Sequence, residues 1–410
     1  MKRRVVVTGL GAITPIGNNI DEFWINIMHG KTGIGEITRF DASGYKVNIA
    51  AEVKNFVAEE IIDWKSARRM SLFSQYAVAA AIEAMEDSGI EINNVDPFRI
   101  GVSVGSAVGS VHVIEKGYET IVNDGPNKIS PLVIPKMIPN MAAGNVAIQL
   151  GARGKVISIS TACATGTNSI GEAYRSIQYG DADIMITGGA DSCITPTCLG
   201  GFTALTALST TKNPLRASIP FDKERNGFVI GEGAGIVILE ELNHAEKRGA
   251  KIYSEVIGYA STADAFHITS PLEDGKGAAK AMELAISEAG IHPSEIDYIN
   301  AHGTSTYQND LIETRAIKEV FGKSAKSVCI NSTKSMIGHS LGAAGGIEFI
   351  VCVKAINDRF IHQTMGTSKT DGECDLNYSI NAPIQKEVNL TISNSFGFGG
   401  HNATIVLKKY

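Results

Sequence analysis

Cys163 stands in the stretch SISTACATG, residues 158–166, between two small side chains. An apolar run precedes the cysteine and a helix-like stretch follows it, so the thiol is expected at the N-terminus of a helix. The positive end of the helix dipole stabilises a thiolate there. Ala162, Ala164 and Gly166 leave room for a substrate to approach. A buried structural cysteine is the alternative, since free cysteine is among the most buried residue types.

Two histidines occur in similar turn-like surroundings in the second half of the chain. His302 follows an apolar run in YINAHGTST, ahead of a glycine and three hydroxyl residues. His339 lies in TKSMIGHSLGAAGG, five residues after Lys334 and before a small-residue helix start. A nucleophilic thiol usually works with a base or a proton donor. Together with Cys163, the two histidines predict a catalytic Cys-His-His group at the C-terminal ends of strands.

The residue types narrow the chemistry. A cysteine with one histidine and an Asp or Asn is typical of a protease or amidase. A cysteine with two histidines, and no carboxylate orienting them within the motifs, indicates thioester chemistry. An acyl chain would rest on the thiol, and two neutral imidazoles would stabilise a developing enolate or oxyanion. This arrangement fits a reaction that makes a carbanion by losing carbon dioxide.

A glycine-rich segment near the C-terminal end could supply a further part of the site. SNSFGFGGHN, residues 393–402, carries Phe396 and Phe398 among its glycines. Glycines let backbone N–H groups approach a ligand closely. One such N–H, with that of Cys163, would form an oxyanion hole. A plain β-turn with two core aromatic residues is the alternative.

Composition and charge exclude several classes of protein. The chain has 410 residues, of which 44% are hydrophobic and 20% charged, enough for one large globular unit or two closely packed ones. A net charge of −6 argues against general nucleic-acid binding. No apolar run approaches the roughly 20 residues that span a bilayer, and the first residues lack the features of a signal peptide. We therefore expect neither a nucleic-acid partner nor membrane insertion.

The cysteines indicate a reduced compartment. Six are present, with no CxxC spacing and no short disulfide framework. Cys193 and Cys198 resemble half of a zinc site, but no matching second pair exists, and both are interpreted as structural. No metal site is predicted, and the protein is expected in the cytoplasm.

One local cluster is basic although the chain as a whole is acidic. DWKSARRM places Lys65, Arg68 and Arg69 at spacings that put them on one face of a helix. The cluster is either a solvated helix face or a docking patch for an acidic partner.

The elements that must position these residues alternate between strands and helices. Strand-like RRVVVTGL precedes helical DEFWINIMHG, and helical SQYAVAAAIEAMEDSG precedes strand-like RIGVSVGS. This alternation is typical of an α/β protein with a mostly parallel sheet covered by helices.

Two parts of the sequence repeat the same pattern. Residues 156–177 and 328–350 each read as a buried strand, a polar turn and a helix that starts with small residues. Each is followed later by a glycine turn and an alternating strand, GEGAGIVILEEL and GGHNATIVLKKY. We predict two like-folded halves, residues 1–250 and 251–410, with the site where they meet. The first half would carry the cysteine and the second the two histidines.

Four ordered motifs resemble those of the beta-ketoacyl-acyl-carrier-protein synthases: TACATGTNSIG, NAHGTSTYQND, STKSMIGHSLGAAG and NSFGFGGHN. The type II, elongating synthase of fatty-acid synthesis is the most similar, and the resemblance covers essentially the whole chain. It implies the thiolase fold, in which duplicated α/β halves form five α/β/α/β/α layers, usually in a homodimer. It also implies an acyltransferase that needs no cofactor and receives its substrates on the phosphopantetheine arm of an acyl carrier protein.

The resemblance assigns a role to each reactive residue. Cys163 would take the acyl group from an acyl-carrier-protein thioester. His302 and His339 would bind the malonyl thioester carbonyl and assist decarboxylation, after which the carbanion would attack the acyl-Cys163 thioester and give a 3-oxoacyl carrier protein and CO2. The backbone N–H groups of Cys163 and Phe398 would form the oxyanion hole, and Phe398 would gate the entry of malonyl. The supporting residues would be a lysine near His339, the carboxylate that holds it and an acidic residue after the first histidine motif: Lys334, Glu348 and Asp310.

The resemblance also implies contacts with substrate and partner. Thr304 and Thr306 would contact the phosphopantetheine arm, and Phe396 joins Phe398 among the substrate-binding residues. Val108, in GSAVGS, matches a side chain at the bottom of the acyl pocket, and KISPLVIPKMIPN resembles the dimer-side pocket wall. The basic cluster matches the helix on which the acidic carrier protein docks, and it comprises Lys65, Arg68 and Arg69.

Several alternatives remain open from the sequence. The ketosynthase subunit of a type II polyketide or polyene pathway has nearly the same motifs. A thiolase would carry a second cysteine where this chain has GFGGHN, and a non-catalytic scaffold would not need an intact Cys-His-His set. Tyr307, Ile337 and His401 depart from the usual motifs, but they leave the three reactive residues unchanged.

Overall fold

The computed structural model describes residues 2–380 and 382–410. Its α-helices are α1 Ile20–Met28, α2 Trp64–Ala67, α3 Leu72–Ser88, α4 Val111–Asp124, α5 Val133–Met137, α6 Met141–Leu150, α7 Thr165–Gln178, α8 Pro196–Ala204, α9 Leu242–Lys247, α10 Lys276–Ala289, α11 Tyr307–Phe321, α12 Lys334–Ile337 and α13 Ala344–Asp358. Its strands are β1 Val5–Ile13, β2 Ile34–Glu36, β3 Ile49–Ala51, β4 Ile100–Gly105, β5 Val156–Ile157, β6 Ile184–Ser192, β7 Glu232–Glu241, β8 Ser254–Ala263, β9 Tyr298–Asn300, β10 Cys329–Asn331, β11 Phe360–Ile361, β12 Ile384–Gln385, β13 Leu390–Gly397 and β14 His401–Lys408. Short 3-10 helices include Ala162–Ala164 and Leu341–Ala343.

The main sheet consists of two five-stranded layers with the same topology. The strand order is β5-β4-β6-β7-β1 in the first layer and β10-β9-β13-β14-β8 in the second. The layers join edge to edge, where Val5–Val7 of β1 pair antiparallel with Ser254–Val256 of β8. Strand by strand in chain order, the second layer therefore repeats the first.

Helices form three layers around the two sheet layers. α7 and α13 pack against each other and lie between the sheet layers. α3 and α6 cover the outer face of the first sheet layer, and α10 and α11 cover the outer face of the second. Each helical layer has its own cluster of buried apolar side chains. This is the five-layer α/β/α/β/α arrangement with duplicated halves, and the predicted thiolase fold is confirmed.

Small residues let the two central helices approach closely. A Cβ on Gly345 of α13 would lie 2.5 Å from the backbone nitrogen of Thr167 in α7. A Cβ on Gly166 would lie 2.7 Å from the backbone nitrogen of Gly346. Any side chain at these glycines would collide with backbone atoms of the facing helix. The small-residue helix starts noted in the sequence are therefore required by packing between the halves.

Two details of the predicted sheet are wrong. Each layer contains two parallel and two antiparallel pairings, because the strands that return next to β6 and β13 run in the opposite direction. The predicted buried strand at residue 156 is the two-residue strand β5, and Val156 is 42% exposed. β5 is the last strand of its layer and lies at the edge of the sheet.

The local predictions agree with the structure where capping signals are clear. The predicted strands in RRVVVTGL and RIGVSVGS are β1 and β4, and the two predicted helices are α1 and α3. The Asn19 side chain caps α1 by accepting a hydrogen bond from the N–H of Glu22, and α3 ends at Gly89 in the left-handed conformation. Within the described ranges, no helix has the length and apolar character needed to cross a membrane.

Candidate active site

The structure brings Cys163, His302 and His339 together where the two halves meet. Cys163 lies in the 3-10 turn before α7, His302 follows β9, and His339 lies between α12 and the 3-10 turn before α13. The cysteine sulfur and one ring nitrogen of each histidine lie within 4.8 Å of one another. The two imidazole rings are 5.3 Å apart and nearly perpendicular. The first half supplies the thiol and the second supplies both histidines.

The turns that present these groups carry matching backbone strain. Ala162, directly before Cys163, has a φ of 50°, and Leu341, at the corresponding position of the second half, also has a φ of 50°. Residues other than glycine rarely adopt this left-handed conformation, and it costs on the order of 1 kcal/mol or more. Both strained residues lie three positions before a central helix, so the duplicated fold holds two equivalent sharp turns at the site. This strain is not apparent from the residue types at these positions.

Hydrogen bonds to the two histidines indicate which ring nitrogen carries the proton. The backbone N–H of Leu341 donates to Nδ1 of His339 at 3.3 Å. The Lys334 ammonium lies 3.3 Å from Nδ1 of His302 and donates to it. In a neutral imidazole with an accepting Nδ1, the proton is on Nε2. Both histidines therefore present an Nε2–H donor, and within the described residues the Nε2 of His339 has no hydrogen-bond partner.

Both histidines are held in the neutral form. Burial lowers the pKa of His302 and of His339 well below its usual value, and the nearby Lys334 charge lowers both further. Proximity of the two rings lowers the pKa of His302 still more. Neutral imidazoles that donate through Nε2 suit the stabilisation of a negative oxygen, as the sequence predicted.

Lys334 forms a buried ion pair below the histidines. Its ammonium pairs with Glu348, and both side chains are almost completely buried. The resemblance placed this lysine near His339, whereas its hydrogen bond is to His302. Burial raises the pKa of Glu348 to about 7, with the Lys334 charge acting in the opposite direction. The pair fixes a positive charge at the base of the site and orients His302.

The sequence indicated that a helix N-terminus would favour a thiolate at Cys163, but burial acts in the opposite direction. Burial raises the pKa of Cys163 to about 11, although the Lys334 charge and the backbone N–H of Phe398 lower it in part. The side chain is 8% exposed, and α7 begins only at Thr165, so desolvation outweighs the effect of the helix terminus. Cys163 is therefore a thiol at rest and loses its proton only when it attacks.

The glycine-rich segment brings a second backbone N–H to the sulfur. A Cβ on Gly397 would lie 2.8 Å from the carbonyl oxygen of Thr161 and 3.0 Å from the nitrogen of Cys163, so only glycine fits there. This close approach places the N–H of Phe398, like that of Cys163 itself, near the Cys163 sulfur, and both N–H groups lower the pKa of the thiol. Two N–H groups thus converge beside the sulfur, as an oxyanion hole requires.

A cavity of about 470 Å³ opens onto Cys163 and both histidines. The Thr304 and Thr306 hydroxyls are 2.9 Å apart in its wall. Phe396 and Phe398 also line it, and the Phe396 ring lies 5.8 Å from that of His302. Aromatic and amide side chains that the sequence reading missed complete the wall, and they include Phe202, Phe228, Tyr307 and Asn226.

Val108 does not lie in this cavity. It is 39% exposed on the surface near the start of α4 and is absent from the cavity wall of the single chain. If Val108 lies at the bottom of an acyl pocket, that pocket is not this cavity of the single chain. The assignment of Val108 to the acyl pocket stays a prediction.

Two buried carboxylates shape the loop that carries His302. Asp310 accepts hydrogen bonds from the backbone N–H groups of Phe221 and Ser305. Glu313, which the sequence reading missed, accepts from the N–H groups of His302 and of the following glycine, at 2.9 and 2.8 Å. Asp310 supports the loop rather than touching a reactive residue, and Glu313 fixes the backbone of His302 directly.

Asp191 is a further buried carboxylate that the sequence reading missed. It lies in β6 and accepts hydrogen bonds from the Ser106 hydroxyl and from the N–H groups of Ala107 and Gly342. Burial raises its pKa to about 6. These bonds tie the end of β4 to the turn after His339, across the junction of the halves. An aspartate at the end of the run DIMITGGAD was the available signal.

The basic cluster lies on the surface. Lys65 belongs to the one-turn helix α2, which ends at Ala67, so Arg68 and Arg69 follow the helix rather than extending one face of it. All three side chains are exposed, and within the described residues none forms an ion pair. The Arg68 guanidinium stacks over the exposed ring of Trp64, 4.6 Å from its centroid. The cluster is therefore free to meet an acidic surface.

The Cys163, His302 and His339 atoms are also close enough to hold a metal ion in principle. The Lys334 ammonium lies directly behind His302, and its positive charge opposes a bound cation.

The five-layer fold defines the class of thiolase-fold enzymes, and comparison of the sequence with protein families identifies the group within it. The sequence model for "Beta-ketoacyl synthase, N-terminal domain" matches residues 2–245, and that for "Beta-ketoacyl synthase, C-terminal domain" matches residues 253–368. The chain belongs to the beta-ketoacyl synthase family, and the predicted resemblance is confirmed.

Relatives of known activity match along their whole length. The chain is 48% identical to 3-oxoacyl-[acyl-carrier-protein] synthase 2 of Staphylococcus aureus (strain N315), over 100% of this chain and 99% of the relative. It is 49% identical to the protein of the same name from Synechocystis sp. (strain ATCC 27184 / PCC 6803 / Kazusa), again over 100% and 99%.

Solved structures of ketosynthases superimpose on the whole chain. The ishigamide ketosynthase/chain length factor matches with a TM-score of 0.94 and 36% identity, covering 100% of both chains. The type II polyketide ketosynthase of AntDE:AntF, solved with its acyl carrier protein, matches with a TM-score of 0.93 and 37% identity, also over 100% of both chains.

Proposed function

We propose that the protein condenses an acyl chain, carried on Cys163, with malonyl-acyl carrier protein to give 3-oxoacyl-acyl carrier protein and CO2 in fatty-acid elongation. The observation that carries this proposal is the proximity of Cys163 to two neutral histidines, whose Nε2–H groups face the same cavity. Full-length relatives named 3-oxoacyl-[acyl-carrier-protein] synthase 2 support the same reaction.

The first half-reaction loads the enzyme. The Cys163 sulfur attacks the thioester carbonyl of the acyl carrier protein, and as the tetrahedral intermediate collapses the proton of the Cys163 thiol ends on the departing phosphopantetheine thiol. The negative oxygen of the tetrahedral intermediate accepts hydrogen bonds from the N–H groups of Cys163 and Phe398. Thr304 and Thr306, in the cavity wall, hold the phosphopantetheine arm.

The second half-reaction removes CO2 and forms the carbon–carbon bond. The malonyl thioester oxygen accepts hydrogen bonds from Nε2 of His302 and of His339, so the negative charge left by departing CO2 is stabilised on that oxygen. The resulting carbanion attacks the acyl thioester on Cys163, and the sulfur leaves. Phe398 gates the cavity, and its turn is followed by Gly399 and Gly400, both with positive φ, which allow it to move.

Chain extension provides the direct test of this function. The purified protein is incubated with malonyl-carrier protein and a panel of acyl-carrier proteins with saturated chains from two to sixteen carbons, and the products are read by mass. Growth of medium and long chains by two carbons is expected. Rejection of those chains, with acceptance of short, aromatic or polyene primers, would contradict the fatty-acid assignment and leave the chemistry in place.

A ketosynthase subunit of a type II polyketide or polyene pathway is the second candidate. The whole-chain similarity to the ishigamide and AntDE ketosynthases supports it. The identity to those structures is 36% and 37%, against 48% and 49% to the two 3-oxoacyl synthases, and this difference favours elongation.

We infer that the basic cluster binds acyl carrier protein, which is strongly acidic. The prediction is that reversing the charge of Lys65, Arg68 and Arg69 to glutamate slows acyl transfer from carrier protein by about tenfold or more, because opposite charges steer the two proteins together. The rate should be measured with acyl-carrier protein and with a small acyl thioester. Equal loss with both substrates would contradict docking and indicate misfolding.

A homodimer is proposed from the face beside the edge strand β5. Apolar side chains of α4, α5, α6 and β5 are exposed on it, among them Tyr118, Ile134, Ile148 and Val156, with Ile148 77% exposed. An exposed apolar face next to an unpaired strand edge is typical of an interface. Sedimentation equilibrium should give twice the chain mass of 43.5 kDa, and a monomer across the working concentrations would contradict the proposal.

Val108 is proposed to reach the acyl pocket from this same face in the dimer. We predict that Val108→Phe shortens the longest primer accepted, because the larger ring fills the end of the pocket. The acyl panel above measures this directly. Substitution by Ile is the matched control and should have a smaller effect. Unchanged chain preference in the phenylalanine variant would remove Val108 from the pocket.

We propose further that the reaction needs no metal or prosthetic group and takes place in the cytoplasm. The Lys334 charge behind the histidines supports the first point. The cysteines, which are free within the described residues, support the second.

A further inference from the structure

Three cysteines share one apolar cluster beside the cavity. Cys163, Cys193 and Leu341 form its buried centre, and Cys198 and Phe202 pack against them. Cys193 is fully buried, and Cys198 packs against the same cluster. The proposed condensation uses only Cys163, so the two other cysteines of the cluster are left without a role.

The two remaining sulfurs have different reactivity. Cys198 is partly exposed in the first turn of the nine-residue helix α8, which is capped by Thr195. The neighbouring Cys193 thiol lowers the pKa of Cys198, and Thr195 lowers it further, while Cys198 and burial raise the pKa of Cys193. Cys198 is thus the accessible sulfur with thiolate character, and Cys193 is the thiol placed to react with it next.

We propose that Cys193 and Cys198 form an oxidative modification site, at which a peroxide converts the pair to a disulfide. The Cys198 thiolate attacks one peroxide oxygen, the O–O bond breaks, and a sulfenic acid forms as hydroxide leaves. The Cys193 sulfur then displaces the sulfenic OH, which departs as water with the Cys193 proton. Two electrons pass from the sulfurs to the peroxide, and the two side chains that must meet already belong to one packed cluster.

The disulfide acts on the active site through α8. This helix carries Phe202 and Leu205, which line the cavity, and its Cys198 packs on the cluster that holds Cys163. Drawing the two sulfurs to bonding distance repacks the wall beside Cys163, because a close-packed cluster transmits small shifts. Oxidation is therefore expected to inhibit the enzyme reversibly without touching its nucleophile.

Trypsin separates the sulfurs so that the product can be identified. Cleavage after Lys155, Arg175 and Lys212 places Cys163 in the peptide 156–175 and both other cysteines in the peptide 176–212. The full-length protein is treated with hydrogen peroxide, free thiols are alkylated, and the peptides are weighed. We expect 176–212 to lose two hydrogen atoms and carry no alkyl group, while 156–175 stays alkylated. Condensation should fall in parallel and return on addition of a dithiol.

Two variants test the proposed disulfide. Because the peptide masses report the disulfide directly, this test does not depend on which reaction the enzyme catalyses. Cys198→Ser should keep its activity under peroxide and leave Cys193 alkylated. Cys374→Ser, at a buried cysteine far from the pair, is the matched control and should oxidise like the original protein. Peroxide-treated 176–212 with both cysteines alkylated, or cross-linked to 156–175, would overturn the proposal.

Discussion

Cys163→Ala is expected to abolish condensation, with a loss of at least about 10³-fold, because among the described residues no other thiol lines the cavity that holds the histidines. Formation of 3-oxoacyl-carrier protein, followed by mass, measures the loss. The methyl side chain keeps the strained turn and its backbone N–H, so the fold should be preserved.

Cys198→Ser is the matched control for loss of a cysteine, and in reducing buffer it should condense at the original rate. Cys163→Gln should mimic the acylated enzyme and retain malonyl decarboxylation while losing condensation. Full elongation by Cys163→Ala would end the assignment of the nucleophile.

Removal of either imidazole is expected to have the second largest effect. His302→Ala or His339→Ala should slow malonyl decarboxylation by roughly 10²–10³-fold, because each removes one hydrogen-bond donor from the developing enolate oxygen. Measuring CO2 release in the Cys163→Gln background separates this step from acylation and condensation.

The control variants ask whether donation, rather than packing, is the function of the rings. His339→Gln should recover part of the rate, since an amide N–H can donate in place of Nε2. His29→Ala, at an exposed histidine of the C-cap of α1, should leave the rate unchanged. Undiminished decarboxylation in both active-site alanine variants would contradict the role given to the histidines.

The duplicated halves and the position of the site could be inferred from sequence because both follow from repeated local patterns. A strand, a polar turn and a small-residue helix occur twice, and each copy folds into the same place in its layer. The close packing at Gly166 and Gly345 explains why both helix starts are rich in small residues. A side chain at either glycine would collide with the backbone of the facing helix.

Features that depend on contacts between distant segments could not be predicted in the same way. The histidine that accepts a hydrogen bond from Lys334 is His302 rather than His339, which is nearer in sequence. The Cys163 pKa reflects burial by both halves, which a helix-terminus rule does not include. Asp191 gains its role only because the second half supplies the N–H of Gly342. The proposed role of Val108 in the acyl pocket depends on a second copy of the chain, which a single sequence does not describe.

The central claim is that the acyl chain is carried on Cys163. Locating the acyl group in the acyl-enzyme tests this claim most directly. The protein is incubated with acyl-carrier protein without malonyl substrate, digested with trypsin and weighed peptide by peptide. We expect the acyl group on the peptide 156–175, and its loss when malonyl-carrier protein is added. An acyl group on any other peptide, or none while elongation proceeds, would contradict the account.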